Sequence, residues 1–535
     1  MDFDFQYHPY PSQRTTVFAR RGMVATSQPL AAQVGLDILK QGGNAIDAAI
    51  ATAAALTVHE PTSNGIGGDA FALVWTKGKL HGLNASGPAP RSLTIDAVKA
   101  RGYYKVPAHG LIPVTVPGAP SAWAELSKKF GRLPLKVVLQ PAIDYAENGY
   151  PITPILGKYW GLAYERYKQI LTAEEFQPWF ETFAPKGRAP KVGEIWHSKD
   201  HANTLRSIAE SSAESFYRGE LADKIAAFSE RYNGFISKED LAGYRAEWVE
   251  PIKVNYRGYD VWEIPPNGQG LVALLALNIV KGFNFSEKET IDTYHKQIEA
   301  MKLAFTDGKG FITDPAFMKM NLADVLSEEY GESRRSEIAD EALVPHPYQP
   351  PRGGTVYLAT ADGEGNMVSF IQSNYMGFGS GIVVSGTGVA LQNRGFDFSL
   401  DPDHANALRP GAKTYHTIIP GFLTKDNQAV GPFGVMGGYM QPQGHLQVVM
   451  NTIDFGLNPQ ATLDAPRWQW IEGKKVVVEP HFPNHLTQAL IRKGHQIKVV
   501  DTGNFGRGQI IWRDPESGVL MGGTEARTDG AIAAW

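Results

Sequence analysis

The stretch Val344-Pro-His-Pro-Tyr-Gln-Pro-Pro-Arg-Gly-Gly-Thr355 divides the sequence into two parts of different character. Its four prolines and its glycine pair can form neither a helix nor an inner strand. Helical patterns dominate before it, from residue 121 to about residue 305. After it, residues 355–362 and 367–373 read as strands with a period of two, joined by a short glycine-containing hairpin connection. Helices before this point and a β-rich sequence from here to the end predict a layered α/β/β/α core.

Composition excludes several classes of function. The 535 residues carry 51 Lys and Arg against 55 Asp and Glu, so the formal charge of −4 gives no positive field to hold a nucleic acid. The absence of cysteine excludes disulfides, thiolate metal sites and a Cys nucleophile. The first twenty residues lack the basic start and apolar run of a secretion signal, and we expect a cytoplasmic protein. The longest uncharged apolar stretches, residues 48–58 and 270–280, are too short for a membrane span.

The amino-terminal part predicts two helices and a glycine-rich loop. Ser27 is placed to cap a helix that runs to about Lys40. Residues 44–58 form a second helix that is too apolar on all sides to lie on the surface, so we expect it to be central. The loop Glu60-Pro-Thr-Ser-Asn-Gly-Ile-Gly-Gly-Asp69 then feeds a strand. It lacks the Lys-Ser/Thr end of a phosphate-binding loop, which favours tight packing over phosphate binding.

Thr355 is the residue that could carry chemistry, because it follows a glycine pair and starts a strand. Glycine permits strained backbone, and a strained Gly354–Thr355 bond could be attacked by the Thr355 hydroxyl. Hydrolysis of the resulting ester would start a new chain at Thr355. Its α-amino group, with a pKa of about 7.7–8.0, could accept the hydroxyl proton near neutral pH. Nucleophile and base would then belong to one residue.

Several sequence blocks together resemble the γ-glutamyltranspeptidase family of N-terminal-nucleophile hydrolases, which are proenzymes that cleave themselves before a threonine. The blocks that carry the resemblance are Gly22-Met-Val-Ala-Thr-Ser-Gln-Pro-Leu30, Gly42-Gly-Asn-Ala-Ile-Asp-Ala-Ala49, the loop that ends at Asp69, Phe216-Tyr-Arg-Gly-Glu-Leu-Ala222, Ile236-Ser-Lys-Glu-Asp-Leu-Ala242, Tyr256-Arg-Gly-Tyr259, Glu299-Ala-Met-Lys-Leu-Ala304, Asp362-Gly-Glu-Gly-Asn366, Gly377-Phe-Gly-Ser-Gly-Ile382 and Gly437-Gly438. They span roughly residues 20–535.

The resemblance implies an α+β fold, the four-layer αββα sandwich of these hydrolases, with an additional helical layer from the large subunit. It implies a helix-rich large subunit of residues 1–354 and a β-rich small subunit of residues 355–535, both forming one composite domain. Cleavage would fall between Gly354 and Thr355. The two subunits of one precursor would be each other's partners, and a dimer of such heterodimers is an arrangement that the sequence leaves open. No cofactor is implied.

Site residues follow from the same resemblance, position by position. Thr355 matches the nucleophile, and Ser373 matches a hydroxyl that hydrogen-bonds it. Gly437 and Gly438 match the pair whose N–H groups form the oxyanion hole. Asp397 matches the acid that holds the α-ammonium group of a glutamyl substrate.

The sequence departs from the family at other substrate-binding positions. Tyr375 replaces an Asn that helps to bind the α-ammonium group, and Arg394 replaces a Gln. The serine pair that binds the substrate α-carboxylate falls on Ala412-Lys413, and Arg91 lies near the position of the carboxylate-binding Arg. A cationic Arg394 or Lys413 would suit a carboxylate on the acyl side. The stretch between Asp397 and Ala412 is short for the family, which predicts that a lid over the pocket is missing.

These observations lead to one main hypothesis and three alternatives. The main hypothesis is an amidohydrolase that cleaves γ-glutamyl amides such as glutathione through an acylated Thr355, with water or an amine as acceptor. A related acylase could act instead on another carboxylate-bearing amide, such as oxamate or a glutaryl-type side chain. The chain could also be an unprocessed relative that binds a ligand without catalysis. Metal-dependent hydrolysis lacks any HExxH-like spacing among the 14 histidines, and we predict no metal.

Overall fold

The computed structural model describes residues 14–344 and 354–535. Most of the proline-rich stretch, residues 345–353, therefore lies outside the described residues, and so does the prediction made for it. The α-helices of the described residues are α1 (Pro29–Lys40), α2 (Ala45–His59), α3 (Ile95–Ala100), α4 (Ala119–Phe130), α5 (Leu135–Asn148), α6 (Pro154–Ile170), α7 (Gln177–Phe183), α8 (Lys199–Ser211), α9 (Glu214–Arg218), α10 (Glu220–Arg231), α11 (Lys238–Ala242), α12 (Gly270–Val280), α13 (Ile291–Phe311), α14 (Leu322–Val325), α15 (Glu328–Arg335), α16 (Met440–Ile453), α17 (Pro459–Asp464) and α18 (Asn484–Arg492).

The strands of residues 14–344 and 354–535 make up two large sheets and three small ones. The strands of the described residues are β1 (Val17–Ala19), β2 (Gly22–Thr26), β3 (Asp69–Thr76), β4 (Lys79–Ala85), β5 (Tyr150–Pro151), β6 (Ile195–Trp196), β7 (Glu247–Val249), β8 (Ile252–Tyr256), β9 (Tyr259–Glu263), β10 (Gly354–Asp362), β11 (Met367–Tyr375), β12 (Val383–Val384), β13 (Val389–Ala390), β14 (Gly421–Lys425), β15 (Gln428–Met436), β16 (Trp468–Glu472), β17 (Lys475–Val478), β18 (Gln496–Val499), β19 (Arg507–Arg513), β20 (Leu520–Thr524) and β21 (Ala531–Ala534).

The two large sheets form the centre of a four-layer sandwich. The first sheet has the strand order β21-β2-β10-β11-β3-β4-β7, and the second has the order β1-β20-β19-β15-β14-β9-β8. Apolar side chains from both sheets meet in one core between them, among them Phe71, Tyr357 and Ile371 from the first sheet and Phe422 and Ile511 from the second. Helices α1, α2 and α4 cover the first sheet, and α12, α16 and α17 cover the second. This arrangement confirms the predicted αββα core.

Helix α2 is central, as its composition predicts. All of its residues are buried, because β10 and β11 lie on one side of it and α5 lies on another. Its amino terminus has a capping box, in which the Asn44 side chain accepts from backbone N–H groups and Asp47 accepts from the Asn44 N–H. Helix α5 also packs against α8, so these helices form the additional outer layer predicted for the part of the chain before Thr355.

The predicted cap of the first helix is wrong. The N-cap residue of α1 is Gln28, without a side-chain hydrogen bond, and Pro29 occupies the first turn. Ser27 instead donates from Oγ to a Glu60 carboxylate oxygen. Because both of these side chains are buried, the hydroxyl stabilises a carboxylate inside the protein and is not available to the helix.

Both large sheets combine strands from the two sides of the Gly354–Thr355 bond. In the first sheet, β10 lies between β2, from the amino-terminal part, and β11, from the carboxy-terminal part. In the second sheet, β14 pairs with both β9 and β15. Neither part could therefore complete either sheet without the other. Within residues 14–344 and 354–535, no helix is long and apolar enough to cross a bilayer.

Candidate active site

Thr355 is the second residue of β10 in the first sheet, next to the end of β11. Its side chain is buried, with 1% of the residue exposed. The Thr355 hydroxyl donates to Ser373 Oγ at 3.1 Å, and the Ser373 hydroxyl donates to the Gly354 carbonyl oxygen at 2.7 Å. A single hydroxyl thus joins the predicted nucleophile to the carbonyl that it would attack. The structure brings these three residues together as the sequence predicts.

An irregularity in the pairing of β10 and β11 lies beside Thr355. Gly354 pairs with Tyr375 and Val356 pairs with Gln372, so the register shifts by one residue between them. Tyr375 has a φ of +76°, a left-handed conformation that is uncommon for a bulky residue. Its N–H group donates to Ser373 Oγ at 2.7 Å. The bulge therefore anchors Ser373 and turns the Tyr375 side chain away from the regular direction of the strand.

Gly437 and Gly438 lie between the end of β15 and the start of α16. Their φ values are +137° and +61°, which only glycine adopts readily. Their carbonyl groups accept from Met440 and Gln441 in the first turn of α16. Among the described residues, neither glycine N–H group donates a hydrogen bond. Unpaired N–H groups at a helix amino terminus favour a negative charge, which is what an oxyanion hole requires.

Asp397 accepts two hydrogen bonds from tyrosines. Its Oδ1 accepts from the Tyr375 hydroxyl at 2.8 Å and from the Tyr439 hydroxyl at 3.2 Å. Lys309 donates to the Tyr439 hydroxyl, and its ammonium lies 3.5 Å from the centre of the Tyr415 ring. Burial raises the pKa of Asp397, and the charge of Lys309 opposes that rise. Burial also lowers the pKa of Lys309 well below its usual value.

Arg394 is fully buried next to Tyr375. Its guanidinium carbon lies 4.1 Å from the centre of the Tyr375 ring, and Nη1 donates to Thr417 Oγ1 at 2.7 Å. Nε and Nη2 have no hydrogen-bond partner among the described residues. Burial lowers the pKa of Arg394, and the nearby Asp397 opposes that change. A buried guanidinium with unused donors is suited to a carboxylate, which it can bind with two parallel hydrogen bonds.

Arg91 and Lys413 lie elsewhere, in a surface cleft. The described residues that line this cleft include both of them and several acids, but not Thr355 or Asp397. The Lys413 ammonium donates to a Glu247 carboxylate oxygen at 2.6 Å. The substrate-binding roles of Arg91 and Lys413 stay predictions, with no contact to the Thr355 region to support them.

Asp69, the first residue of β3, is a buried acid for which the sequence predicts no catalytic or binding role. It pairs with Ser373 across β3 and β11, and its Oδ2 lies 2.9 Å from Nε2 of His416. Gln392 donates to its other oxygen at 2.8 Å. Burial raises the pKa of Asp69 to about 7, while the charge of Arg394 opposes this rise. His416 is fully buried in this pair.

One group among the described residues has the spacing of metal ligands, namely His295, Glu299 and His495. The Lys302 ammonium already lies 2.7 Å from Glu299 Oε1 and supplies a positive charge there. Glu299 Oε2 accepts from the backbone N–H group of Leu343, and Nε2 of His295 lies 2.8 Å from the Ala339 carbonyl oxygen. These bonds fasten residues 339–343 to α13. Nδ1 of His295 lies 2.9 Å from Nε2 of His495, while Nδ1 of His495 has no partner among the described residues. The group lies outside the Thr355 site.

Fold and site together define an N-terminal-nucleophile hydrolase, with a threonine near the start of a central strand in one of the two large sheets. A family model described as Gamma-glutamyltranspeptidase matches residues 31–535, and the chain belongs to that family. The chain is 36% identical over 529 residues to the glutathione hydrolase-like YwrD proenzyme of Bacillus subtilis (strain 168). That alignment covers 96% of this chain and 99% of that protein.

Two further relatives have different named activities. The oxamate amidohydrolase proenzyme of Klebsiella pneumoniae subsp. pneumoniae is 34% identical over 531 residues, covering 96% of this chain and 98% of that protein. The crystal structure of a cephalosporin acylase from Bacillus halodurans has a TM-score of 0.98 and 70% identity, covering 100% of this chain and 99% of that chain. Membership of a family of self-processing amidohydrolases is thus established, and the family contains more than one substrate specificity.

Proposed function

We propose that the chain cleaves itself between Gly354 and Thr355 and then hydrolyses amides whose acyl group ends in a carboxylate, of the glutaryl type. The observation that carries this proposal is the hydrogen-bonded series from Thr355 through Ser373 to the Gly354 carbonyl. In this series the Thr355 hydroxyl, the Ser373 hydroxyl and the Gly354 carbonyl oxygen are joined by hydrogen bonds, an arrangement that supports attack within the chain. Residues 1–354 would form the large subunit and residues 355–535 the small subunit of one composite domain.

Self-cleavage needs no group from outside the chain except water. The Thr355 hydroxyl oxygen attacks the Gly354 carbonyl carbon, and the Ser373 hydroxyl donates to the carbonyl oxygen as negative charge develops there. The C–N bond to Thr355 breaks, the hydroxyl proton passes to the new amine, and an ester joins Gly354 to Thr355. Water hydrolyses that ester to leave a carboxylate on Gly354 and a free hydroxyl and amine on Thr355.

Turnover then repeats the same chemistry on a substrate amide. The Thr355 amine accepts the hydroxyl proton as the oxygen attacks the substrate carbonyl. The N–H groups of Gly437 and Gly438 stabilise the oxyanion at the amino terminus of α16. The leaving amine takes the proton, the acyl group stays on Thr355 as an ester, and water releases it as an acid. Gly437 and Gly438 thereby serve as the catalytic donors that the sequence predicts.

Arg394 supports the choice of acyl group. It contacts Tyr375, whose N–H group donates to Ser373 beside Thr355, so its charge belongs to the same site. Its two unpaired N–H positions could bind the distal carboxylate of a glutaryl chain. Asp397, by contrast, already accepts from two tyrosine hydroxyls. This occupancy favours an acyl donor without an α-ammonium group.

A γ-glutamyl amide such as glutathione is the second candidate. Asp397 Oδ2 has no partner among the described residues and could accept from an α-ammonium group. Retention of γ-glutamyl turnover in Asp397→Ala would contradict that role. Oxamate is a shorter carboxylate-bearing amide that Arg394 would also suit.

Mass spectrometry and substrate comparison test the proposal. Purified protein should separate into fragments 1–354 and 355–535, and the Thr355→Ala protein should stay whole. Cleaved enzyme is then given glutaryl, γ-glutamyl and butyryl anilides and oxamate. We expect glutaryl anilide to react at least about tenfold more efficiently than the uncharged butyryl anilide, since a charge-assisted hydrogen bond contributes about 1.5–3 kcal/mol. Faster γ-glutamyl hydrolysis would favour the second candidate, and an uncut, fully active protein would refute the mechanism.

A further inference from the structure

We infer that Gln269 is a positioning residue for the oxyanion hole, a role that rests on the proposed function of Gly437 and Gly438. Gln269 directly precedes α12, in the part of the chain before Thr355. Its side chain is fully buried, with 0% of the residue exposed. It reaches the glycine pair from a different segment of the chain, about 170 residues away in sequence.

The Gln269 amide is held in one orientation by three hydrogen bonds. Nε2 donates to the Gly438 carbonyl at 2.9 Å and to the Thr417 carbonyl at 2.6 Å. Oε1 accepts from the Tyr415 hydroxyl at 3.0 Å. The hydroxyl of Tyr415 faces the amide oxygen, and the two carbonyl groups face the amide nitrogen. The opposite orientation of the amide would lose these hydrogen bonds. Its backbone is fixed too, since the Gln269 N–H group donates to the His416 carbonyl.

This amide restrains the peptide groups around Gly438. Glycine at a φ of +61° has few steric limits of its own, so contacts must select its conformation. The Gly438 carbonyl accepts from Gln441 in α16 at 3.2 Å and from Gln269 at 2.9 Å, and it is thereby held from two sides. Only the two rotatable backbone bonds of Gly438 separate this carbonyl from the Gly438 N–H group, so holding the carbonyl restrains the direction in which that N–H group points. Gln269 therefore helps to position one of the two proposed oxyanion donors.

The same side chain connects the donors to the acyl-binding group. Thr417, whose carbonyl accepts from Gln269, also accepts at its hydroxyl oxygen from Arg394 Nη1 at 2.7 Å. A change at Gln269 could therefore act on catalysis, on substrate binding or on both. A role in positioning the oxyanion donors predicts an effect confined to the rate of the chemical step, because the oxyanion exists only in the transition state and the tetrahedral intermediate.

The test is Gln269→Glu, which keeps the size and the acceptor for Tyr415 but removes the two N–H donors. Gln269→Met, which removes all three hydrogen bonds, is the second variant. Gln447→Glu is a matched control, because Gln447 is also buried and its Nε2 donates to two backbone carbonyls, those of Gln443 and Trp468, at 3.0 Å each. Each protein is used after self-cleavage. The concentration of active sites is measured from the burst of product that accompanies acylation of Thr355, and each rate is divided by that concentration.

We expect Gln269→Glu to lower kcat roughly tenfold to a hundredfold with KM changed less than about twofold, by comparison with the loss of a direct oxyanion donor. Gln447→Glu should lower the unfolding temperature without changing kcat per active site. Equal kcat in Gln269→Glu and wild type, or an equal loss in Gln447→Glu, would overturn the inference. Failure of the proposed function shows separately, as wild-type protein that does not cleave or as activity that survives Thr355→Ala.

Discussion

The guanidinium of Arg394 lies 4.1 Å from the centre of the Tyr375 ring, and this pair links the proposed acyl-binding charge to the strand that carries Ser373. Tyr375 can take this place because its φ of +76° departs from the strand conformation directly after Asn374. A smaller side chain at residue 375, or a regular strand conformation there, would leave Arg394 without the aromatic ring that it contacts. The unusual backbone of one residue thus determines the surroundings of a buried cation.

Ser373→Ala should slow self-cleavage. The substitution removes the donor to the Gly354 carbonyl and the acceptor for Thr355, so we expect the half-time for cleavage to lengthen roughly tenfold to a hundredfold. The measurement follows the disappearance of the whole chain on denaturing gels. Ser369→Ala is the control, because Ser369 is also buried in β11 but bonds to Tyr357. Cleavage of the Ser373→Ala protein at the wild-type rate would contradict the role of Ser373.

Arg394→Met should weaken the binding of acyl groups that carry a carboxylate. A lost charge-assisted hydrogen bond of about 1.5–3 kcal/mol predicts a rise in KM of at least about tenfold for glutaryl anilide. The KM for butyryl anilide should change little. Lys413→Met provides the comparison, since Lys413 is paired with Glu247 in the separate surface cleft. A larger effect from Lys413 than from Arg394 would move the acyl-binding role to that cleft.

Asp397 and Lys309 should be energetically coupled. Asp397→Asn removes the negative charge that offsets the cost of burying the Lys309 ammonium. We therefore expect the free energy of unfolding to fall by roughly 1–3 kcal/mol. Lys309→Met in the same protein should restore part of that loss. Urea unfolding of both single variants and the double variant gives the coupling energy. Additive effects within about 0.5 kcal/mol would show that the two charges do not interact.

His59 should make the protein less stable in acid. Its ring lies edge-on to Tyr145 and Tyr150 at 4.6 Å each, and burial lowers its pKa to about 3. Between a pKa of about 6.5 for the unfolded chain and about 3 in the fold, only the unfolded chain binds a proton, so stability falls as the pH falls through this window. The expected slope is about 1.4 kcal/mol per pH unit.

Urea unfolding of wild type and His59→Leu at pH 7 and pH 5 measures this contribution. The variant should lose less stability between the two pH values than the wild type does. His485→Leu, at an exposed histidine, should behave like the wild type. An identical pH dependence in wild type and His59→Leu would show that His59 is protonated without unfolding.

Much of the site could be predicted from the sequence because it lies on neighbouring strands. Thr355 and Ser373 lie on the two strands of one hairpin with a short connection, which brings them close together, and the role of Ser373 was implied by the resemblance to the family. The buried helix α2 was predictable from its uniform apolar composition. Lys309 and Gln269 were not predicted, since they come from a helix and a loop far away in sequence. Only the packing of the second helical layer on its sheet brings them to Tyr439 and Gly438.

Helix α16 is the main element that a β-rich interpretation of the carboxy-terminal part misses. It contains Pro442 and Gly444, which both disfavour helix in a sequence pattern. Pro442 is tolerated because it lies in the first turn, where backbone N–H groups have no helical partner. A Cβ at Gly444 would lie 2.7 Å from Val435 side-chain atoms, so glycine permits close packing of α16 on β15. Both residues are explained by tertiary contacts that the local sequence does not reveal.

Residues 339–343 are hydrogen-bonded to segments on both sides of the proposed cleavage site. Leu343 and Ala339 bond to side chains of α13, while the Ala342 N–H group donates to the Lys493 carbonyl and the Lys493 ammonium donates to the Asp340 carbonyl. Cleavage of the Gly354–Thr355 bond would therefore leave the rest of the fold assembled. The two fragments should elute together in native gel filtration and separate only when a denaturant unfolds the sheets that they share.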